Sequence, residues 1–245
     1  MISPVNLDEP ATWPQELRDL AHEATQQEGC RGSNTVDLRP APYLSDRIRS
    51  ILFDYGVVVY QCARLLDSEV ADIRLNGLRA TSASLLHDKV RAAREEGVLT
   101  EHHAERLLTK GVLTAPEQRA ARVDEVCALT ILRTLTVDPY GTQPLLNYWG
   151  GEITYFWQID EDPDLAEVLR SIGNPVLIEF QHRPCPTDHC SPELANVVIG
   201  RYQDLDDCAG EIHIRLPHGK RIPAIEVWQR DDFRWPPSHP TDEEW

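Results

Sequence analysis

The chain has 245 residues, 41% hydrophobic and 26% charged, with 40 acidic against 24 basic side chains and a net charge of -16. A chain of this length can bury a large core without staples, no apolar run approaches the ~20 residues that span a bilayer, and MISPVNLDEPATWPQ is not a secretory signal, so a cytoplasmic protein with no membrane partner is expected. Six scattered cysteines imply reduced thiols, and the negative charge disfavours nucleic acid as a partner.

Residues 1–56 read as an N-terminal helical accessory segment. Thr12 with Gln15 suits a capping box, with Pro14 in the first turn and Leu17, Leu20, Ala21 and Ala24 on one face. A second helix starts at Ser45, aligns Ile48, Ile51, Leu52 and Tyr55, and ends at Gly56. Val57 to Tyr60 then form a β-branched, aromatic strand ending in the polar tetrapeptide Gln61-Cys62-Ala63-Arg64. The helix that follows has Asp67 or Ser68 as its cap, stops at Gly77 and leads into a short strand at Leu78.

Residues 83–128 read as a helical insertion. Its first helix is marked by Leu86, Val90 and Ala93, its second by Ala104, Leu107 and Leu108, and its third runs from a cap at Thr114 through Val123, Val126 and Cys127. Strand signals return from Ala128 to Val137. In a chain only 7% aromatic, Tyr148, Trp149, Tyr155, Phe156 and Trp157 then cluster around Gly150-Gly151-Glu152. The paired glycines let the backbone turn beside bulky rings and approach a ligand. An acidic helix with Leu165, Val168 and Leu169 leads into an apolar strand after Gly173. Residues 210–228 read as a hairpin turning at 217–220, with Ile212, Ile214 and Leu216 on one face and Glu226 on its second strand. The acidic, Pro-rich tail, 236–245, is expected to be flexible.

Arg64 offers a planar fork suited to bidentate anion contacts, and Gln61 carries both a donor and an acceptor. Glu152 sits beside the glycine-aromatic cluster, and Glu226 lies between Ile225 and Val227. His182, Cys185, His189 and Cys190, with Cys208 and His213 further on, are the right donor types for zinc, but their spacing is irregular and they read as a proline-braced loop, so no metal ligand is assigned.

The tetrapeptide end of the strand, the helix and Gly77-Leu78-Arg79 together resemble the opening of the ADP-ribosyltransferases, in which a W/Y-H-G-S/T-R strand end is followed by a helix and a G-L/I-R strand. Tyr60 and Arg64 match that pattern, whereas Gln61 and Cys62 stand in place of its histidine and glycine. The stretch from Gly150 through the apolar strand after Gly173 is similar in order to the G-x-G-I-Y-F-A, helix and apolar strand of the poly(ADP-ribose) polymerases in that family. The resemblance implies an α+β fold with a split β-sheet core over residues 57–235, interrupted by the helical insertion. It further implies NAD as substrate, held by Tyr60, Gln61, Arg64, Tyr148 and Tyr155, with Glu152 or Glu226 catalytic. The setting implied is that of a toxin or defence protein with a macromolecular target. The alternative reading is a noncatalytic acidic binding protein, of immunity or inhibitor type, that docks a basic partner.

Overall fold

A computed structural model describes residues 3–229 except 31, 33, 111, 115, 138, 155–161, 192, 206–207 and 218. The protein is of mixed α+β class. In chain order the first elements are Gln15–Thr25 (α1), Pro42–Tyr55 (α2), Val57–Leu65 (β1), Asp67–Asn76 (α3), Leu78–Arg79 (β2) and Ala83–Glu95 (α4). Glu101–Lys110 (α5), Pro116–Arg122 (α6), Glu125–Leu129 (β3), Thr134–Val137 (α7), Pro139–Asn147 (α8) and Pro163–Ser171 (α9) follow. The last are Asn174–His182 (β4), His189–Ser191 (β5), Leu194–Tyr202 (α10), Glu211–Arg215 (β6), Arg221–Ile222 (β7) and Ala224–Gln229 (β8). One sheet has six strands in the order β5-β6-β3-β1-β4-β8, and a second has two, β2 and β7.

The chain divides into two compact units, Met1–Gln61 with Cys127–Asp138 and Glu179–Ile214, and Cys62–Val126 with Pro139–Ile178 and Arg215–Trp245. In the first, α1, α2 and α10 pack on one another. The apolar stripe of α1, Leu17, Leu20, Ala21 and Ala24, is buried, as are Leu44, Ile48 and Leu52 of α2. The N-terminal helices therefore share a core with a helix near residue 200 rather than forming a separate accessory segment. The N-terminus of α1 also departs from the capping-box expectation: its cap position is Pro14, and the Thr12 hydroxyl instead donates to the Glu9 carbonyl at 2.8 Å.

In the second unit, α4, α5, α9 and the segment 148–153 contribute to one apolar cluster that includes Leu86, Val90, Leu107, Trp149, Leu165 and Leu169. Three helices, α4, α5 and α6, occupy the stretch from Ala83, and the last of them ends at Arg122. Asp124 takes φ 62°, outside the helical range, and Glu125–Leu129 continue as strand. Val126 and Cys127 thus lie on a strand, since an apolar run this short does not distinguish a helix from a buried strand. Beyond Leu129 the expected strand gives way to α7, because both oxygens of the Asp8 carboxylate accept from the Leu132 amide at 3.0 Å just before the helix begins.

The helix α3 is capped one residue earlier than the first expected position, Asp67. Leu66 holds the cap position, and its amide donates to the Glu69 carboxylate at 2.8 Å. Gly77 ends α3 as expected, at φ 83°. The expected hairpin over 210–228 does not form. β6 pairs with β5, β7 pairs with β2, and β6 and β8 lie far apart in the sheet order. Alternation records which face a strand buries, not which strand lies beside it.

Gly173, at φ 67°, joins α9 to β4, and a Cβ there would overlap the Leu65 carbonyl oxygen. Gly173→Ala is expected to cost on the order of 2 kcal/mol through left-handed strain and this clash. A urea midpoint equal to that of the wild type would contradict it.

Candidate functional site

The end of β1 and the double glycine meet within the second unit. Arg64 and Trp149 form a parallel backbone bridge, and the Gly150 amide donates to the Arg64 carbonyl at 2.7 Å. Gly150 and Gly151 take φ 87° and 60°, so a side chain at either would be strained. A Cβ on Gly151 would sit 3.2 Å from the Ala63 Cβ, tighter than ordinary packing. The small residue in the tetrapeptide and the second glycine are therefore matched surfaces, with Arg64 and Glu152 each one residue from the contact.

Three groups anchor this corner. The Arg64 Nε donates to the Ile172 carbonyl at 2.8 Å, tying the strand end to the C-terminus of α9. The fully buried Trp149 donates its indole N–H to Glu69 at 2.8 Å. The same carboxylate accepts from the Leu66 amide and from the Lys89 ammonium, which also lies 5.7 Å from the Trp149 ring centroid. Glu69 and Lys89 are only 10% and 12% exposed, so the pair holds the tryptophan in a largely desolvated setting. Glu152 is 13% exposed and ion-paired with Arg122 at the end of α6.

Tyr60 is buried in the first unit, where its hydroxyl bonds to Asp8. Burial, reinforced by the Asp8 and Glu179 charges, pushes its phenol well above the usual range. Tyr148 is buried in the second unit, with Arg170 over its ring at 4.9 Å and donating to its hydroxyl. Neither ring offers an open face for stacking on a ligand. Gln61, at the end of the first unit's share of β1, is partly exposed. The Cys62 thiol is buried and pushed up to about 12 by desolvation, which removes it as a nucleophile. Glu226 lies exposed on β8, the last strand in the sheet order. Tyr155, with Phe156 and Trp157, lies outside the described residues, as does the 236–245 tail.

The Cys/His loop is held by Asp188. His182 Nε2 and Asp188 Oδ2 are 2.6 Å apart, and the Cys185 amide donates to the same oxygen at 2.7 Å. His189 and Cys190 are neighbours on β5 and point to opposite faces. The Cys190 thiol is pushed up to about 12, first by burial and then by the Asp188 and Glu193 charges. Sequence spacing had no signal for Glu69, Lys89 and Arg122, which reach the glycine corner from separate helices.

Burial alone would raise the Asp188 carboxyl, but the His182 and Cys185 hydrogen bonds outweigh it and hold the pKa below the ordinary value of 3.8. Its ionised form thus stabilises the fold above that value, and the contribution is lost as pH falls through the lower folded value. Asp188→Asn is expected to be less stable than wild type at pH 6, with the gap in urea midpoints narrowing below about pH 4. A gap that does not change with pH would contradict this assignment.

Among the described residues, no helix is long and apolar enough to cross a membrane. The class that fold and site define is a mixed α+β protein with an arginine-bearing strand end packed on a double-glycine turn. No family model, curated protein or solved structure matches the chain.

Proposed function

We propose that this is an ADP-ribosyltransferase-like protein that binds NAD and transfers ADP-ribose to a macromolecule, or consumes NAD, in a toxin or defence setting. The observation that carries the reading is the packing of Gly150-Gly151 on Ala63-Arg64. It brings the two segments that resemble the family together in one unit, with Glu152 at their junction. The split of the strands into two sheets, with Gly77-Leu78-Arg79 entering the smaller one, supports the same reading.

In this reading Arg64 meets the pyrophosphate through its guanidinium, whose Nε also donates to the Ile172 carbonyl and fixes its position. Glu152 stabilises the positive charge that builds on the ribose as the bond to nicotinamide lengthens. It is favoured over Glu226 because it is shielded from water, where a fixed charge acts more strongly, whereas Glu226 is exposed. Arg122 fixes the orientation of Glu152 before substrate enters. Titration calorimetry tests the binding step: wild type is expected to bind NAD and Arg64→Ala to bind it at least tenfold more weakly. Equal affinities would remove Arg64 from the site.

The noncatalytic alternative also has an observation in its favour, the withdrawal of Tyr60 and Tyr148 into the cores of their units. In that reading the acidic surface docks a basic partner, and binding weakens as salt shortens the Debye length below ~10 Å. An affinity for that partner that does not change with salt would contradict a charge-led interface.

A further inference from the structure

In the first unit, adjacent strands β6 and β3 project three donor groups from one face. Glu211 and His213 are two residues apart on β6 and therefore point the same way, and Cys127 of β3 lies across from them. The Cys127 Sγ, a carboxylate oxygen of Glu211 and a ring nitrogen of His213 all lie within 4.8 Å of one another. We propose that Cys127, Glu211 and His213 form a zinc site with three protein ligands and an open fourth position.

The donor set is one sulfur, one nitrogen and one oxygen, all of types that zinc accepts, and three protein ligands with a vacant fourth place is the arrangement of sites that bind water or a substrate group. Zinc distances of about 2.0–2.3 Å place tetrahedral ligand atoms about 3.3–3.6 Å apart. His213 Nε2 and Glu211 Oε1 are 3.6 Å apart, already at that spacing. Cys127 Sγ donates to Glu211 Oε1 at 2.6 Å, so this pair must open by about 1 Å as the metal replaces the thiol proton, which leaves to solvent. Access is graded in the way such a site needs. Cys127 is 9% exposed and sits at the base, while the Glu211 and His213 side chains are 44% and 29% exposed and form the entrance. His189 faces His213 across the β5–β6 pair, with ring centroids 6.0 Å apart, and borders the open position. The inference is independent of the NAD reading, since every ligand lies in the first unit.

The test uses the full chain, stripped with a chelator and titrated with Zn2+ and, separately, Co2+ under reducing conditions. The expected result is uptake of a single equivalent, with the visible bands of tetrahedral cobalt and a near-ultraviolet thiolate-to-cobalt transition. Cys127→Ser should abolish the thiolate transition, and His213→Ala and Glu211→Gln, at partly exposed positions that do not endanger folding, should abolish stoichiometric uptake. A Cys185→Ser/Cys190→Ser variant should bind as wild type does. The proposal is overturned if wild type takes up no metal, if His213→Ala and Glu211→Gln bind normally, or if the Cys185/Cys190 variant loses the metal.

Discussion

Glu69→Ala is expected to lower the stability of the protein by about 3–5 kcal/mol, the range for removing one partner of a buried ion pair. The carboxylate receives the Leu66 amide, the Trp149 indole and the Lys89 ammonium, and its loss leaves all three donors unsatisfied in a setting where water replaces it poorly. Lys89, 12% exposed, would carry an uncompensated charge beside the Trp149 ring. Urea denaturation at neutral pH measures the loss, and the double variant Glu69→Ala/Lys89→Met locates it. Because the second change removes the stranded charge, the pair should be no less stable than Glu69→Ala alone. A single-variant loss under about 1 kcal/mol would mean that Glu69 is held as a surface pair, not a buried one.

The second large effect concerns chemistry. Glu152→Gln is expected to reduce NAD turnover by on the order of a hundredfold or more with little change in NAD affinity, because the amide keeps the shape and loses the charge needed as the ribose becomes positive. Glu226→Gln, altering an exposed side chain on β8, should leave turnover within about twofold of wild type. Turnover by Glu152→Gln at the wild-type rate, or its collapse in Glu226→Gln, would transfer the catalytic role to Glu226.

Much of the frame was legible in local patterns. The β1 strand, α3 with its stop at Gly77, and the helices marked by Leu86 and Leu107 are set by periodicity and by a glycine with positive φ, all properties of neighbouring residues. What was not legible depends on residues distant in sequence. Asp8 takes the Leu132 amide and turns the chain into α7, and β7 leaves β8 to pair with β2. The site followed the same division. The double glycine and Arg64 could be singled out from composition and spacing, but the Glu69–Lys89–Trp149 anchor and the Arg122 partner of Glu152 arise only when α3, α4 and α6 come together on residues 149–152. Tyr60 shows the converse. A β-branched, aromatic run marks a strand without marking which rings are core, and this one is sealed against Asp8.

The most direct measurement of the central proposal is nicotinamide release by the purified full chain incubated with NAD, alone and with a cell lysate as a source of acceptors. The account predicts release that depends on enzyme concentration and is lost in Glu152→Gln. It further predicts label from the adenine-bearing half of NAD on a lysate macromolecule, or as free ADP-ribose. No release and no label under either condition, from folded protein, would contradict the transferase reading and leave the acidic binding protein as the account of the fold.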